Sequence, residues 1–164
     1  RLSAADVLRE AGNSKFREGG LAAAQVDYEK VTSLITRSDC LRKDEEQDEL
    51  RRFGAKQAGG RAQEQGASEL PAGSDEEDDE LRSKTQACWV SAKLNLALCH
   101  LRVDPVEAWK TLEHCEDVLD IEPDNAKATF RKGKALIVLE EFKEAEWELA
   151  RACRLAPGDS APRR

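Results

Sequence analysis

The feature that most constrains this chain is a pattern of residue sizes that occurs three times. In each copy, a small residue in one predicted helix is followed in a second predicted helix by another small residue and, four positions later, by a larger one. The first-helix positions are Gly12, Ala97 and Gly133, the second-helix positions are Ala24, Thr111 and Ala145, and the larger residues are Tyr28, Cys115 and Leu149. Small residues let two helices cross closely, because side chains at the contact set the distance between the axes. The pattern therefore predicts three helical hairpins.

The spacing of the copies indicates the repeat type. Gly133 follows Ala97 by 36 residues, and Pro123 and Pro157 stand at the ends of the second and third copies, where proline cannot continue a helix. Small, small, large and proline positions at a period of about 34 residues are typical of the tetratricopeptide repeat (TPR). We therefore predict an all-α fold in which three TPR helix-turn-helix repeats form a short right-handed superhelix, with a long disordered insertion after repeat one.

The insertion follows from the first interval, in which Ala97 lies 85 residues after Gly12. We assign a TPR domain to 1–157, with repeat one at 3–36, the insertion at 37–80, repeat two at 81–123, repeat three at 124–157 and a tail at 158–164. Helices are predicted at about 3–18, 21–36, 80–102, 106–120, 125–139 and 142–155. Residues 37–53 are compatible with a longer second helix. Residues 54–79 are rich in glycine and end in an acidic run, a composition that predicts disorder.

The composition argues against several functional classes. The chain has 33 acidic and 26 basic residues and a net charge of −7, which disfavours nucleic-acid binding. Its five cysteines include no CxxC pair, which argues against a disulfide framework or zinc site and favours a cytoplasmic location. No apolar run approaches the roughly 18 residues of a membrane span, and no catalytic motif is present. We therefore expect the chain to have no catalytic residue, cofactor, metal or membrane contact of its own. Because it begins at Arg1 without an initiator methionine, we also expect a fragment of a longer protein.

Polar residues on the predicted first helices are the candidates for binding, because first helices line the concave groove of stacked TPR hairpins. Repeat one offers Arg9 and Asn13, repeat two offers Asn95, and repeat three offers Lys127 and Arg131. Residues four apart share one helix face, and two cations at that spacing repel by roughly 0.2–0.5 kcal/mol. A bound anion would reverse this repulsion, so the pattern favours an anionic ligand.

A more specific resemblance rests on a few segments. Residues 94–101 (LNLALCHL) and 123–135 (PDNAKATFRKGKA) resemble the TPR domains of large FKBP-type immunophilins. Gly12 and Asn13, followed by Phe16, are similar to the opening of the same domains. The resemblance implies an FKBP-type peptidyl-prolyl isomerase domain upstream in the parent protein, outside this fragment.

The resemblance covers residues 3–36 and 81–157, and the insertion has no counterpart. It implies a two-carboxylate clamp that grips the C-terminal Glu-Glu-Val-Asp tail of the 90-kDa heat-shock chaperone, and the 70-kDa chaperone shares that tail end. The clamp roles fall on Arg9, Asn13, Asn95, Lys127 and Arg131, while Phe16 matches the position that packs on the valine of the peptide.

Two points stay open at the level of sequence. Arg9 stands where the family usually has lysine, and its planar guanidinium could either hold a carboxylate bidentately or overshoot it. The alternative function is a TPR scaffold that recruits another protein through its convex face or the acidic insertion, without chaperone-tail binding. In a variant of this alternative, the acidic run folds over the cationic groove as an internal pseudo-ligand.

Overall fold

The computed structural model describes residues 1–40, 75–103 and 105–157, which form six α-helices. The helices are α1 (Leu2–Arg17), α2 (Leu21–Leu34), α3 (Asp75–His100), α4 (Ala108–Ile121), α5 (Ala126–Val138) and α6 (Phe142–Leu155), and a 3-10 turn spans Arg37–Cys40. These described ranges contain no strand. The predicted all-α fold of helical hairpins is confirmed.

Each helix packs on the helix that follows it in the chain. α1 pairs with α2, α3 with α4 and α5 with α6, and the hairpins join through contacts of α2 with α3 and of α4 with α5. The first helices also contact one another, α1 with α3 and α3 with α5. These last contacts bring the three first helices together, so that residues from all three repeats can meet on one face.

In the first hairpin and in the third, a glycine lies where the two helices of that hairpin cross. A Cβ on Gly12 would lie 2.7 Å from Cε1 of Tyr28, and a Cβ on Gly133 would lie 2.7 Å from Cγ of Leu149. Both distances are well inside van der Waals contact, so neither position has room for a side chain. In the second hairpin, Ala97 is fully buried. The small residues identified from the sequence therefore lie at the close helix contacts.

A side-chain cap sets the beginning of α5. Asn125 Oδ1 accepts a hydrogen bond from the backbone N–H of Ala128 at 3.0 Å, which satisfies one of the amides that a helix start leaves unpaired. Asn125 Nδ2 in turn donates to Glu122 at 2.7 Å, which holds the cap in place. The cap fixes where α5 begins, and thereby where Lys127 and Arg131 lie along the helix.

The structure differs from the prediction at the end of the insertion. α3 begins at Asp75, so residues 75–79, which we predicted to be disordered, are helical. Acidic side chains stabilise a helix N-terminus through its dipole. Asp79 and Arg82 also pair at 2.7 Å, as do Glu80 and Lys84 at 2.7 Å, so the last two residues of the acidic run have cationic partners within the helix.

Contrary to our expectation, the start of the insertion does not extend the second helix. α2 ends at Leu34, and Asp39 Oδ2 accepts hydrogen bonds from both the backbone N–H and the hydroxyl of Thr36, each at 2.8 Å. These bonds close the 3-10 turn and lower the pKa of Asp39. The rest of the expected helix extension (41–53), the remaining predicted disordered residues (54–74) and the tail (158–164) lie outside the described residues.

Candidate functional site

The predicted site residues all lie on the three first helices. α1 carries Arg9, Asn13 and Phe16, α3 carries Asn95, and α5 carries Lys127 and Arg131. We call the face that these six residues share the groove. Because each first helix belongs to a different repeat, the geometry of the groove depends on how the three hairpins stack.

Two asparagines from different repeats meet in the groove. Asn95 Nδ2 donates to Asn13 Oδ1 at 2.9 Å, and the hydroxyl of Tyr28 in α2 donates to the same oxygen at 2.8 Å. Asn13 Oδ1 thus has two donors, one for each of its lone pairs. No described residue accepts a hydrogen bond from Asn13 Nδ2. Its two N–H groups are therefore available to an acceptor outside the described residues.

Arg131 is held beside this asparagine pair by the preceding repeat. Its Nη1 donates to the backbone carbonyl oxygen of Leu94, the neighbour of Asn95, at 2.5 Å. Burial lowers the pKa of Arg131, although a guanidinium remains charged at neutral pH. A guanidinium has five N–H donors, so a single bond to Leu94 leaves others for a ligand.

Cations without a carboxylate partner lie along the third repeat and the end of α3. Within the described part of the chain, Lys127, Arg131 and Arg102 form no ion pair, and Lys127 is exposed one turn before Arg131. By contrast, Lys93 of α3 pairs with Asp117 at 2.6 Å. In a chain with an excess of acidic residues, unpaired cations near two amide groups favour the binding of an anion.

Arg9 is more constrained than the other cations of the groove. Its Nη2 donates to Asp6 at 3.2 Å, one turn earlier in α1, and the guanidinium also interacts with the buried thiol of Cys88 in α3. One internal carboxylate therefore already contacts this guanidinium. A ligand carboxylate would either share Arg9 with Asp6 or displace it.

Phe16 lies between the core and the groove. It packs against the buried cluster that contains Tyr28 and Leu96, and the guanidinium of Arg102 lies over its ring, with 4.8 Å from Cζ to the ring centroid. A cation over an aromatic face is attracted by the ring quadrupole. The half-buried Phe16 and the exposed Arg102 thus form one surface, in which a cationic guanidinium lies over an apolar ring.

The structure adds two residues to the candidate site that sequence reasoning did not identify. The sequence pattern assigns Tyr28 only as the larger residue of the first copy, although a buried tyrosine in place of phenylalanine indicates that its hydroxyl has a partner. Arg102 looks like a solvated cation at a helix end. Its spacing of seven residues from Asn95, close to two helical turns, is the signal that could have placed it on the same face.

The part of the chain that the structure describes offers little for other kinds of site. No group of three or more His, Cys, Asp or Glu side chains there could hold a metal ion. None of the helices is long and apolar enough to cross a bilayer, as far as the described residues extend.

Comparisons with known proteins agree with this architecture. No family model matches the chain. It is 24% identical over 161 residues to the peptidyl-prolyl cis-trans isomerase FKBP4 of Bos taurus, and 23% identical over 161 residues to that of Homo sapiens. Each match covers 98% of this chain and 27% of the relative, so the chain spans about a quarter of the length of these curated relatives.

One solved structure shares the fold along nearly the whole chain. It is the C-terminal TPR-containing domain of an FK506-binding protein of Plasmodium falciparum, with a TM-score of 0.69 and 20% sequence identity. The match covers 99% of this chain and 83% of that domain.

Proposed function

Since the chain is a TPR domain homologous to the C-terminal TPR region of an FKBP-type peptidyl-prolyl isomerase, we propose that it is the protein-interaction module of a cytoplasmic co-chaperone. Its ligand is the C-terminal Glu-Glu-Val-Asp tail of the 90-kDa heat-shock chaperone, held by a two-carboxylate clamp. Isomerase activity, where the parent protein has it, belongs to another domain.

One observation carries the proposal: donors without acceptors lie on the first helices of repeats one and three. The two N–H groups of Asn13, the exposed ammonium of Lys127 and the remaining donors of Arg131 have no carboxylate partner among the described residues. A C-terminal aspartate presents two carboxylates close together, the α-carboxylate and the side chain. Neutral amides and cations together can satisfy both without placing excess positive charge in the site.

The expected affinity follows from the number of bonds. Each hydrogen bond to a charged group contributes roughly 1.5–3 kcal/mol. Several such bonds, less the cost of ordering a flexible tail, give about −8 kcal/mol, a dissociation constant in the micromolar range. Phe16 and Arg102 extend the ligand surface beyond the clamp, where the valine and an upstream glutamate of the tail would lie.

Calorimetric titration with a pentapeptide ending in Glu-Glu-Val-Asp tests the proposal. The free acid should bind with micromolar affinity that weakens as salt is added, since salt screens the charge pairs. The same peptide with an amidated C-terminus should bind at least tenfold more weakly, because it lacks one of the two terminal carboxylates. Equal and weak binding of both peptides would rule out the clamp. Longer peptides with the upstream sequences of the 90-kDa and 70-kDa tails then separate the two chaperones.

A second candidate function is favoured by two exposed tryptophans. Trp109 of α4 is 60% exposed and Trp147 of α6 is 59% exposed, both on second helices rather than in the groove. Exposed aromatic residues are enriched where proteins dock. This candidate is a TPR scaffold that recruits a protein through the second helices, and it gains support only if the free-acid and amidated peptides bind alike.

A further inference from the structure

We propose that Tyr28 is a positioning residue for the groove: its hydroxyl sets the orientation of the Asn13 amide, so that the NH2 group rather than the carbonyl oxygen faces a bound carboxylate. This inference rests on the proposed function and deepens it. It gives a second task to a residue whose place in the TPR pattern is explained by packing alone.

The Tyr28 ring is held rigidly. Only 1% of the residue is exposed, and the ring lies directly over Gly12, where a Cβ would approach to 2.7 Å from Cε1. Such a ring cannot swing its hydroxyl out to solvent. A buried phenolic O–H must donate to an acceptor inside the protein, because leaving it unpaired costs its full desolvation.

The acceptor of the Tyr28 hydroxyl is Asn13 Oδ1, at 2.8 Å. Asn95 Nδ2 donates to the same oxygen at 2.9 Å from the other side. If the Asn13 amide turned over while Asn95 kept its orientation, the NH2 groups of Asn13 and Asn95 would meet, and Asn13 could no longer accept the hydrogen of the Tyr28 hydroxyl. Two donors that converge on Asn13 Oδ1 therefore favour the amide orientation in which this oxygen faces Tyr28 and Asn95.

The orientation decides the chemistry of the groove. With its oxygen turned inward, Asn13 presents two N–H donors to the ligand side. With the amide reversed, Asn13 would present a carbonyl oxygen, which repels a carboxylate. The hydroxyl of a core residue thus makes Asn13 a donor to anions, and it does so before any ligand arrives, so that binding does not have to fix the side chain.

Tyr28→Phe in the 164-residue chain tests this role, since it keeps the ring over Gly12 and removes only the hydroxyl. We expect affinity for the free-acid Glu-Glu-Val-Asp pentapeptide to fall by roughly five- to tenfold, the effect of about one hydrogen bond. In an Asn13→Ala background, the same substitution should have no further effect, because Tyr28 acts through Asn13. Unchanged affinity, or an equal loss in both backgrounds, would overturn the inference.

Thr111→Val is the matched control. Thr111 is fully buried in α4, and its hydroxyl donates to the Ala97 carbonyl oxygen at 3.3 Å, so the variant also removes a buried hydroxyl near the centre of the domain. It should leave peptide affinity unchanged. A loss equal to that of Tyr28→Phe would mean that any buried hydroxyl matters and that Tyr28 has no special role.

A measurement on the free chain separates this inference from the proposed function. In nitrogen-15 spectra, the side-chain NH2 signals of Asn13 should move in Tyr28→Phe, and its two N–H protons should interchange faster than in the parent chain. Signals that stay in place would refute the role of Tyr28, whether or not the peptide binds. A parent chain that fails to bind the peptide while these signals move would refute the chaperone-tail function alone.

Discussion

The helix crossings of repeats one and three both pack a large side chain closely against a glycine, but they contribute differently to the groove. We call the contact of Gly12 with Tyr28 the first crossing and that of Gly133 with Leu149 the third crossing. In both, a Cβ on the glycine would come within 2.7 Å of the opposing side chain. The Tyr28 side chain continues to a hydroxyl that bonds Asn13, whereas that of Leu149 ends in methyl groups. A position set by packing can therefore also serve the site, in one repeat and not in another.

In repeat three, the groove residue Arg131 is held by a different contact. Arg131 bonds the Leu94 carbonyl oxygen of the neighbouring repeat rather than a residue of its own hairpin. Helix packing and the site are thus coupled in the first crossing and separate in the third. Disturbing either crossing should therefore lower the stability of the domain, whereas the two changes should differ in their effect on ligand binding.

The largest expected effect is on the groove itself. Arg131→Met removes the guanidinium and keeps a long apolar side chain, so peptide affinity should fall by about 1.5–3 kcal/mol, the value of a hydrogen bond between charged groups. Calorimetry with the free-acid peptide measures it. The Leu94 bond is lost too, so stability in chemical denaturation should fall by about 1 kcal/mol.

Lys127→Met is the control for this variant. Lys127 is exposed and has no partner among the described residues, so its loss should weaken peptide binding and leave the free energy of unfolding unchanged. If Arg131→Met and Lys127→Met both bound the peptide as well as the parent chain does, repeat three would contribute no clamp residue and the groove would be assigned incorrectly.

The next effect compares the crossings directly. Gly12→Ala and Gly133→Ala should each destabilise the domain by about 1–2 kcal/mol, since overpacking typically costs 1–3 kcal/mol and the better helix propensity of alanine returns up to about 1 kcal/mol. Only Gly12→Ala should also weaken peptide binding, because it displaces Tyr28 from Asn13. An equal loss of affinity in Gly133→Ala would show that the third crossing supports the groove as well.

The crossings could be predicted from the sequence because they depend on periodicity. A spacing of about 34 residues identifies which small residues face each other, whatever the rotamers around them. The same spacing places Arg9, Asn13, Asn95, Lys127 and Arg131 on first helices, and the structure finds them there. Their roles as clamp residues remain a prediction.

The bonds that shape the groove could not be predicted in this way. The contact of Asn95 with Asn13 joins residues 82 positions apart, and that of Arg131 with Leu94 joins residues 37 apart. Such contacts depend on how far each helix is rotated about its axis and on the rotamers chosen there, which a repeat period does not determine. The pairing of Arg9 with Asp6 could have been predicted from the sequence, because the two residues are three apart on one helix.

The last prediction concerns the loss of stability at alkaline pH, where the Tyr28 hydroxyl ionises. Burial raises the pKa of Tyr28 from 10.0 to about 12, and Tyr28 is the single tyrosine of the chain, so tyrosinate absorbance reports on it alone. Because the folded chain holds this proton more tightly than the unfolded chain, the stabilisation is complete below pH 10 and is lost between pH 10 and about 12.

In Tyr28→Phe, the alkaline loss of stability that comes from the Tyr28 hydroxyl should disappear. The difference in free energy of unfolding between the parent chain and this variant, measured across alkaline pH, therefore reports on the first crossing. The third crossing has no ionisable group, so Leu149→Met should keep the alkaline profile of the parent chain. Tyrosinate formation near pH 10 while the circular dichroism stays helical would mean that solvent reaches the Tyr28 hydroxyl. The two crossings would then differ in size alone, and Asn13 would owe its orientation to Asn95.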